Sequence, residues 1–306
     1  MSWSLTVPML GALHTNLLPC CDISIKNLPP PEKRLQLHIM EPDNFAARTL
    51  AELPTHIAHY GRDRYAWTCL TMISTGIHKW GFVIYRCTYE DDELWSRYLA
   101  QLKSFCHAHL VEYRRAELLE QHLVWVVIED RAALENASRS DVRKHFNQWV
   151  LEQDVPKLPV SGITNRFPID LPLYRYCLYV DKQCLESFTR FQEANDGTAE
   201  SLGFLPPVVF AVIDRSWSAD STGNGDKHDD ENKDEEDEDE EDEDEEEEDE
   251  DEGGYPLIDG TDRKYVGWMY CNAYYCMGGI YETLLQFGLY DEEYYERPPA
   301  IYPGGA

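Results

Sequence analysis

The 306-residue sequence predicts an α+β fold: a ferredoxin-like (split βαβ) sheet with additional helices and a disordered acidic loop insertion. Residues 80–129 and 174–214 each show the pattern of a strand, a helix and a strand, and together they match the split βαβ arrangement. A right-handed crossover then places the first and third strands side by side in the centre of the sheet. A doubly wound sheet is the alternative. The α+β class is preferred because a fifth strand follows the fourth without an intervening helix.

The first strand–helix–strand unit has clear local signals. Residues 80–89 are rich in β-branched and aromatic side chains, which predicts a buried strand. Apolar residues then recur every three to four positions over 94–106, as on one face of a helix. Acidic residues precede this helix and two arginines lie near its end, the order that the helix dipole favours. Residues 123–128 predict the second strand.

The second half of the domain begins with a helix start signal. Ser138 and Asp141 resemble a capping box, and an apolar stripe that includes Phe146 and Val150 follows it. The remaining elements are predicted by the same criteria: a third strand at 174–180, a short helix at 182–191, a fourth strand at 208–213, a fifth strand at 265–270 and a last helix around 280–285.

These elements divide the chain into three regions. Residues 1–75 are predicted to be an N-terminal extension that packs on the domain; prolines interrupt it, and a possible helix at 45–60 is cut by Pro54. Residues 76–216 and 255–306 form a single α+β domain. Residues 217–254 are predicted to be the disordered insertion.

The insertion contains a run of carboxylates at residues 226–252. This segment holds 23 acidic residues and two lysines, so its net charge is −21, and the other residues contribute −9 to the total of −30. Such a segment repels itself and stays solvated. The acidic balance disfavours nonspecific binding to nucleic acid or to anionic membranes, which needs a positive surface. Basic proteins are the predicted partners, and a solvated insertion without a dedicated partner is the alternative.

The sequence carries no signal for membrane insertion or secretion. It has no run of about eighteen apolar residues, and its N-terminus lacks a basic region and a cleavage pattern. The nine cysteines are an odd number without the dense spacing of a disulfide scaffold, which indicates a reducing compartment. We therefore expect a cytoplasmic or nuclear protein.

Four strand sequences carry a family resemblance: WGFVIYRCTY at 80–89, VIEDR at 127–131, YRYC at 174–177 and VGWM at 266–269. Together they resemble a set of uncharacterised proteins from filamentous fungi, over roughly residues 78–300. The resemblance implies one folded unit interrupted by a variable acidic loop. It implies no activity, cofactor or site residue.

Four carboxylates at the ends of predicted strands are candidates for acid–base chemistry: Glu129, Asp130, Asp181 and Asp214. In the predicted topology, the second and fourth strands run opposite to the first and third, so Asp181 is expected at the edge of the sheet away from the other three. Asp181 is also well placed to cap the helix that follows it. Helix capping and turn formation are therefore the preferred explanation of these residues, and the catalytic residues stay unknown.

The metal candidates are cysteines and histidines with poor spacing. His107 and His109 point to different faces of a helix, so they cannot easily share an ion. Cys106 lies beside them, and Cys271 and Cys276 lie far downstream. Cys20 and Cys21 are adjacent and more consistent with an incidental pair than with a redox site. The prediction is no metal and no cofactor.

Two further patterns have weak functional interpretations. Gly278 and Gly279 precede the last helix, whose N-terminal amides could bind an anion, although a tight turn is the simpler explanation. Residues 81–85 resemble part of the aromatic strand motif of RRM domains, although an ordinary buried strand is favoured because the acidic balance opposes phosphate binding. No phosphate-binding or nucleophile-elbow motif occurs.

The preferred functional hypothesis is a non-catalytic intracellular interaction protein whose acidic loop binds basic proteins. The alternative is a small-molecule enzyme or accessory protein of the dimeric α+β barrel kind, with a pocket lined by aromatic residues. The 12% aromatic content is the observation behind this alternative.

Overall fold

The computed structural model describes residues 44–56, 60–61, 63–155, 168–195, 205–219, 254–289 and 294–303. All of them fall within the unit Asp43–Ala306. Residues 1–43 and the acidic segment 226–252 lie outside the described residues. The disorder of that segment therefore stays a prediction.

Within these ranges, the strands form one mixed six-stranded sheet in the order β2-β1-β3-β4-β5-β6. β1 pairs in parallel with both β2 and β3, while β4 is antiparallel to both β3 and β5, and β6 is parallel to β5. The α+β class is therefore confirmed. The strands are β1 (Trp80–Arg86), β2 (Leu123–Ile128), β3 (Tyr176–Val180), β4 (Val209–Asp214), β5 (Trp268–Asn272) and β6 (Ile301–Tyr302).

The strand order confirms one part of the predicted topology and corrects another. β1 and β3 are parallel neighbours, as predicted, with Val83 aligned to Cys177. A split βαβ unit requires another strand between β1 and β2, but these two strands pair directly, with Trp80 aligned to Leu123. The helix between them crosses only to the next position in the sheet, so the split arrangement is wrong for this unit.

The helices of the described residues agree with the predicted order and add to it the ten-residue helix α1 and several one-turn helices. The other long helices begin and end within a few residues of the predicted positions, whereas the one-turn helices have no clear signal in the sequence. The helices are α1 (Ala66–Thr75), α2 (Asp92–Glu112), α3 (Ala116–Leu119), α4 (Arg131–Leu134), α5 (Arg139–Glu152), α6 (Pro172–Arg175), α7 (Lys182–Asn195), α8 (Ala273–Cys276) and α9 (Ile280–Gln286).

Helices cover both faces of the sheet. Tyr85 packs edge-to-face on Phe146 of α5, whereas its neighbour Arg86 lies over the ring of Trp95 in α2. Because successive side chains of a strand point to opposite faces, α5 and α2 lie on opposite sides of β1. Tyr281 of α9 contacts Phe82 and therefore lies on the α2 face. Both faces of the central strands are buried as a result.

Two predicted helix starts are formed by side-chain caps. Asp91 accepts a hydrogen bond from the amide of Leu94 at 2.8 Å and begins α2. Ser138 accepts from the amide of Asp141 at 3.1 Å and begins α5, as the capping-box pattern predicts. These caps pair amides that the first turn of a helix leaves without a partner.

The region before β1 contributes to the same core. The predicted helix at 45–60 is wrong for the described part of that range, where Asn44–Ala46 and Leu50–Glu52 form single 3₁₀ turns. The helix of this region is α1 instead, which ends at Gly76 in the left-handed conformation. Leu50, Leu53 and Leu70 are buried in the common core.

Gly81 allows β1 and β2 to approach each other closely. Its φ is +128°, and a Cβ atom at this position would lie 2.2 Å from the carbonyl oxygen of Val124. A side chain would therefore be strained by the backbone conformation and would also collide with the neighbouring strand.

We predict that Gly81→Ala lowers the free energy of unfolding by at least about 3 kcal/mol, because the added methyl group forces β2 away from β1. Gly76→Ala is the matched control, since Gly76 also has a positive φ (+68°) but no atom within 4 Å of the added Cβ. The control should cost only about 1 kcal/mol. Urea unfolding of both variants tests this, and equal losses would contradict the steric explanation.

Candidate functional site

The four candidate carboxylates lie at two edges of the sheet, but not in the predicted groups. Since β1, β2 and β3 are parallel, Glu129, Asp130 and Asp181 follow their strands at the same edge. β4 is antiparallel to β3, so Asp214 lies at the opposite edge. The prediction that Asp181 is the separated residue is therefore wrong, because β2 runs in the direction of β1 rather than against it.

The three carboxylates that share an edge each have a structural partner. Glu129 accepts a hydrogen bond from the indole Nε1 of Trp95. Asp130 caps α4 by accepting from two backbone amides at 3.1 and 3.3 Å. Asp181 accepts from the amide of Cys184 at 3.1 Å and so caps α7, as predicted, and it lies 3.8 Å from the guanidinium of Arg139. Helix capping, an ion pair and a hydrogen bond from an indole thus give each of the three a structural contact.

A groove of about 540 Å³ runs between α2 and the end of β2. One face of α2 supplies most of its wall through Trp95, Leu99 and Lys103. Glu129, which directly follows β2, lines the opposite side beside Trp95, at what we call the upper end of the groove. Lys103 lies 5.9 Å from the ring centroid of Trp125 on β2. The lining of the groove therefore combines the charged side chains of Arg86, Asp92, Glu129 and Lys103 with the apolar Trp95, Leu99 and Ala100.

A buried arginine borders the upper end of this groove. The guanidinium of Arg86 lies 4.4 Å from the ring centroid of Tyr89 and 5.2 Å from that of Trp95. It donates to the backbone carbonyl of Thr88 at 2.9 Å and pairs with Asp92 at 2.5 Å. The Asp92 side chain is 85% exposed, so an anionic group from solvent could replace it as a partner of Arg86.

Glu282 of α9 is a buried carboxylate that caps another helix. It accepts from the amides of Trp67 and Thr68 at 2.8 and 2.9 Å, and from the Thr68 hydroxyl at 2.6 Å. Burial raises the pKa of Glu282 to about 7, against the opposing effect of these donors. The N-terminus of α1 is thereby held by a side chain more than two hundred positions away in the sequence.

The predicted metal candidates are held apart. His107 contacts Glu120 at the surface, while the Nδ1 atom of His109 lies 2.6 Å from the hydroxyl of Tyr65. Burial, with a smaller contribution from the charge of Arg64, lowers the pKa of His109 to about 4, so this ring is neutral at pH 7. Cys106 and Cys271 are buried and form no disulfide within the described residues. Cys20 and Cys21 lie outside the described residues.

The glycine pair before α9 has a steric explanation. A Cβ atom on Gly278 would lie 2.4 Å from the side chain of His109. The backbone can therefore approach the His109 ring only because residue 278 is glycine. The helix that follows is only seven residues long. Close packing explains this position better than an anion site.

The aromatic residues of the RRM-like segment are in the core. Phe82 and Tyr85 are both buried, and Tyr85 packs on α5. They do not form an exposed aromatic face in the described structure. The interpretation of residues 81–85 as an ordinary buried strand is the one that fits this placement.

The acidic segment lies in the connection between two strands that pair with each other. β4 and β5 are hydrogen-bonded neighbours, with Ile213 aligned to Trp268, and the connection between them contains 53 residues. At its ends, the amide of Asp214 donates to the carbonyl of Gly267 at 2.9 Å. We call this junction the insertion base and define it by Asp214, Trp217, Tyr265, Gly267 and Arg143.

Side chains reinforce the insertion base. The Asp214 carboxylate accepts from the amide and hydroxyl of Ser216 and, at 3.1 Å, from the hydroxyl of Tyr265. Arg143 of α5 donates to the carbonyl of Asp214 at 2.8 Å and to that of Gly267 at 3.4 Å. The buried guanidinium of Arg143 also lies 4.7 Å from the ring centroid of Trp217. Both ends of the insertion are therefore tied to each other and to α5.

Sequence reasoning missed Arg143 and Glu282. Both are charged residues within helices, and such side chains normally face solvent. For Arg143, the signal was its position three residues before Phe146, next to the apolar stripe of α5. For Glu282, the signal was its position among the buried residues Ile280, Tyr281, Leu284 and Leu285.

Comparison with known proteins found no significant match among family models, curated proteins or solved structures. The resemblance to proteins from filamentous fungi stays a prediction. No described helix is both long and apolar enough to span a membrane. Within the same residues, no group of three or more His, Cys, Asp or Glu side chains is arranged to hold a metal ion.

We predict that Glu282 makes stability depend on pH. Because its folded pKa of about 7 exceeds the ordinary 4.5, its contribution is fully present below pH 4.5 and is lost as the pH rises through 7. Glu282→Gln removes this titration. The difference in unfolding free energy, wild type minus variant, should fall by roughly 2–3 kcal/mol between pH 5 and pH 8. Chemical unfolding of both proteins at each pH measures it, and parallel pH profiles would contradict the assignment.

We also predict that Arg143→Met lowers the free energy of unfolding by about 2–4 kcal/mol, because the buried carbonyl groups of Asp214 and Gly267 each lose the guanidinium as a hydrogen-bond donor. Lys144→Met is the matched control in the same helix, since the Lys144 side chain is 75% exposed, and it should change stability by less than about 0.5 kcal/mol. Hydrogen exchange should report faster opening of β4 and β5 in the Arg143 variant alone. Similar exchange in both variants would exclude a special role for Arg143.

Proposed function

We propose that the chain is a non-catalytic interaction protein that binds basic proteins through its acidic segment 226–252. The observation that carries the proposal is the density of charge, 23 acidic residues in 27 positions. A polyanion of this kind attracts clusters of lysine and arginine over a distance set by the ionic strength. Histones and ribosomal proteins have the required basic surfaces.

The insertion base supports this proposal. Asp214, Tyr265 and Arg143 connect the two ends of the insertion through contacts that involve no residue of the segment itself. The free energy of closing a loop increases only with the logarithm of its length, so a long insertion here costs little stability. The segment can therefore bind a partner while the sheet keeps its structure.

The proposed compartment is the cytoplasm or the nucleus. Six buried cysteines of the described part of the chain are not in disulfides: Cys69, Cys87, Cys106, Cys177, Cys184 and Cys271. A reducing compartment accounts for buried cysteines outside disulfides. Basic partner proteins are also abundant in such compartments.

One observation favours the alternative, a small-molecule enzyme or accessory protein with a pocket lined by aromatic residues. The groove beside α2 contains Trp95, and the buried Arg86 at its upper end could receive an anion. A site that combines an apolar wall with a few polar groups is typical of ligand pockets. The two carboxylates that line this groove in the described structure both have structural contacts, since Glu129 binds Trp95 and Asp92 binds Arg86.

We predict that basic proteins co-purify with the full-length chain at physiological salt and are lost when residues 226–252 are deleted. The matched control is a chain of unchanged length in which the acids of this segment are replaced by their amides. It should lose the same partners, since the charge and not the length binds them. Mass spectrometry of the purified complexes provides the measurement. Identical partner lists for all three proteins would refute the proposal and favour the groove as the site to investigate.

A further inference from the structure

β2 forms one outer edge of the sheet. β2 reads Leu-Val-Trp-Val-Val-Ile and contains no charge and no proline. It ends the sheet, and no strand of the described residues pairs with its outer side. Proteins usually protect such an edge with charged residues, prolines or a covering segment, because its free amide and carbonyl groups can pair with another strand.

The side chains of β2 are suited to a further strand. All six are only partly buried, in contrast to the seven fully buried residues of the neighbouring β1. Trp125 lies on the face covered by α2, where it contacts Lys103, and Val126 points to the other face. A strand added beside β2 would cover apolar side chains on both faces of the sheet.

The charged side chains near the two ends of β2 differ in sign. Lys103 stands above the first half of the strand without an ion pair to any described residue, and Glu120, which precedes the strand, contacts His107. Glu129 and Asp130 follow the strand directly. Arg131 does not neutralise them, because it forms an ion pair with Glu135 at 2.9 Å. An antiparallel partner strand brings Glu129 of one copy near Lys103 of the other, so a second copy is complementary in charge to this edge.

We propose that β2 pairs with β2 of a second copy of this chain around a two-fold axis, which joins the two sheets into one. A two-fold axis normal to the sheet places one residue opposite itself. With Val126 at that position, His122 faces Asp130 of the second copy and Leu123 faces Glu129 of the second copy, beside Lys103. With Trp125 at that position, Glu120 would face Asp130 of the second copy, which places like charges together. The register centred on Val126 is therefore assigned.

This inference is independent of the acidic segment and of its partners. Two copies carry a net charge of −30 each, so repulsion between them opposes association at low ionic strength. At physiological salt, charges farther apart than about 8 Å are largely screened. The contacts along β2 then outweigh the repulsion, and dimerisation becomes stronger as salt is raised from low to physiological concentration.

The test uses the full-length chain at physiological salt, with sedimentation velocity over a range of concentrations. Wild type should form a dimer of twice the 35.5 kDa chain mass. Val126→Lys and Val126→Glu should each raise the dimer Kd by at least about tenfold, because each places two like charges opposite one another. An equimolar mixture of the two variants should recover the dimer, since lysine then faces glutamate. Leu151→Lys is the control at an exposed apolar residue of α5 and should dimerise like wild type.

Each contrary result overturns the inference. A wild-type chain that stays monomeric at all concentrations shows that β2 does not pair with a second copy, whatever else covers it. Unchanged association of the single variants would exclude this edge, and a mixture that remains monomeric would exclude the register. If either Val126 variant loses its fold by circular dichroism, Lys103→Glu provides the second measurement. It should weaken the dimer because it places a new carboxylate beside Glu129 of the second copy, whereas Lys144→Glu should not.

Discussion

The pairing of β4 with β5 across the acidic insertion is the contact on which the second half of the sheet depends. Within the described residues, strand pairing connects β5 and β6 to the rest of the sheet through β4. The strand pairing must therefore offset the entropy of closing a connection of 53 residues. Arg143 and the Asp214 carboxylate strengthen the point where this loop closes. The acidic segment is thus inserted between two strands whose junction is reinforced by side-chain hydrogen bonds.

Buried charges connect the parts of the fold that the sheet does not. Asp63 and Arg115 form a fully buried ion pair, and Asp63 also accepts from the amide of Tyr65 at 3.0 Å. Glu282 holds the next turn of the chain from α9. Charged groups are costly in the interior unless each has hydrogen-bond partners. These residues fulfil that condition, and they fix the segment before β1 to the turn between α2 and α3 and to α9.

Much of the local structure could be predicted from sequence because its causes are local. The composition of residues 80–89 and 123–128 predicts the positions of β1 and β2 to within a few residues. The caps Asp91 and Ser138 predict the starts of α2 and α5 in the same way. α1 was missed because its apolar residues do not form a narrow stripe and its cap is Glu282, far away in the sequence. No local signal distinguishes a strand that pairs with its predecessor from one that is separated from it.

The errors in the predicted site follow from this missing information. Once β2 is known to be parallel to β1, Glu129 and Asp181 share an edge and Asp214 is separated from them. The structural roles of the candidate carboxylates were predicted better, since capping depends on the residues that follow each strand. Asp130 and Asp181 both act as caps. The roles of Arg143 and Glu282 depend on tertiary contacts, which the pattern of charges along a helix does not reveal.

We infer that the folded unit keeps its stability without the acidic segment. Urea unfolding of the full-length chain beside the chain without residues 226–252 measures this directly. Deletion shortens the connection from 53 to 26 residues, so the loop-length effect on the free energy of unfolding is about 0.6 kcal/mol in favour of the shorter chain. We predict a difference below about 1 kcal/mol and an unchanged dependence on urea. A loss of more than about 2 kcal/mol on deletion would show that the segment is part of the fold and would contradict this independence.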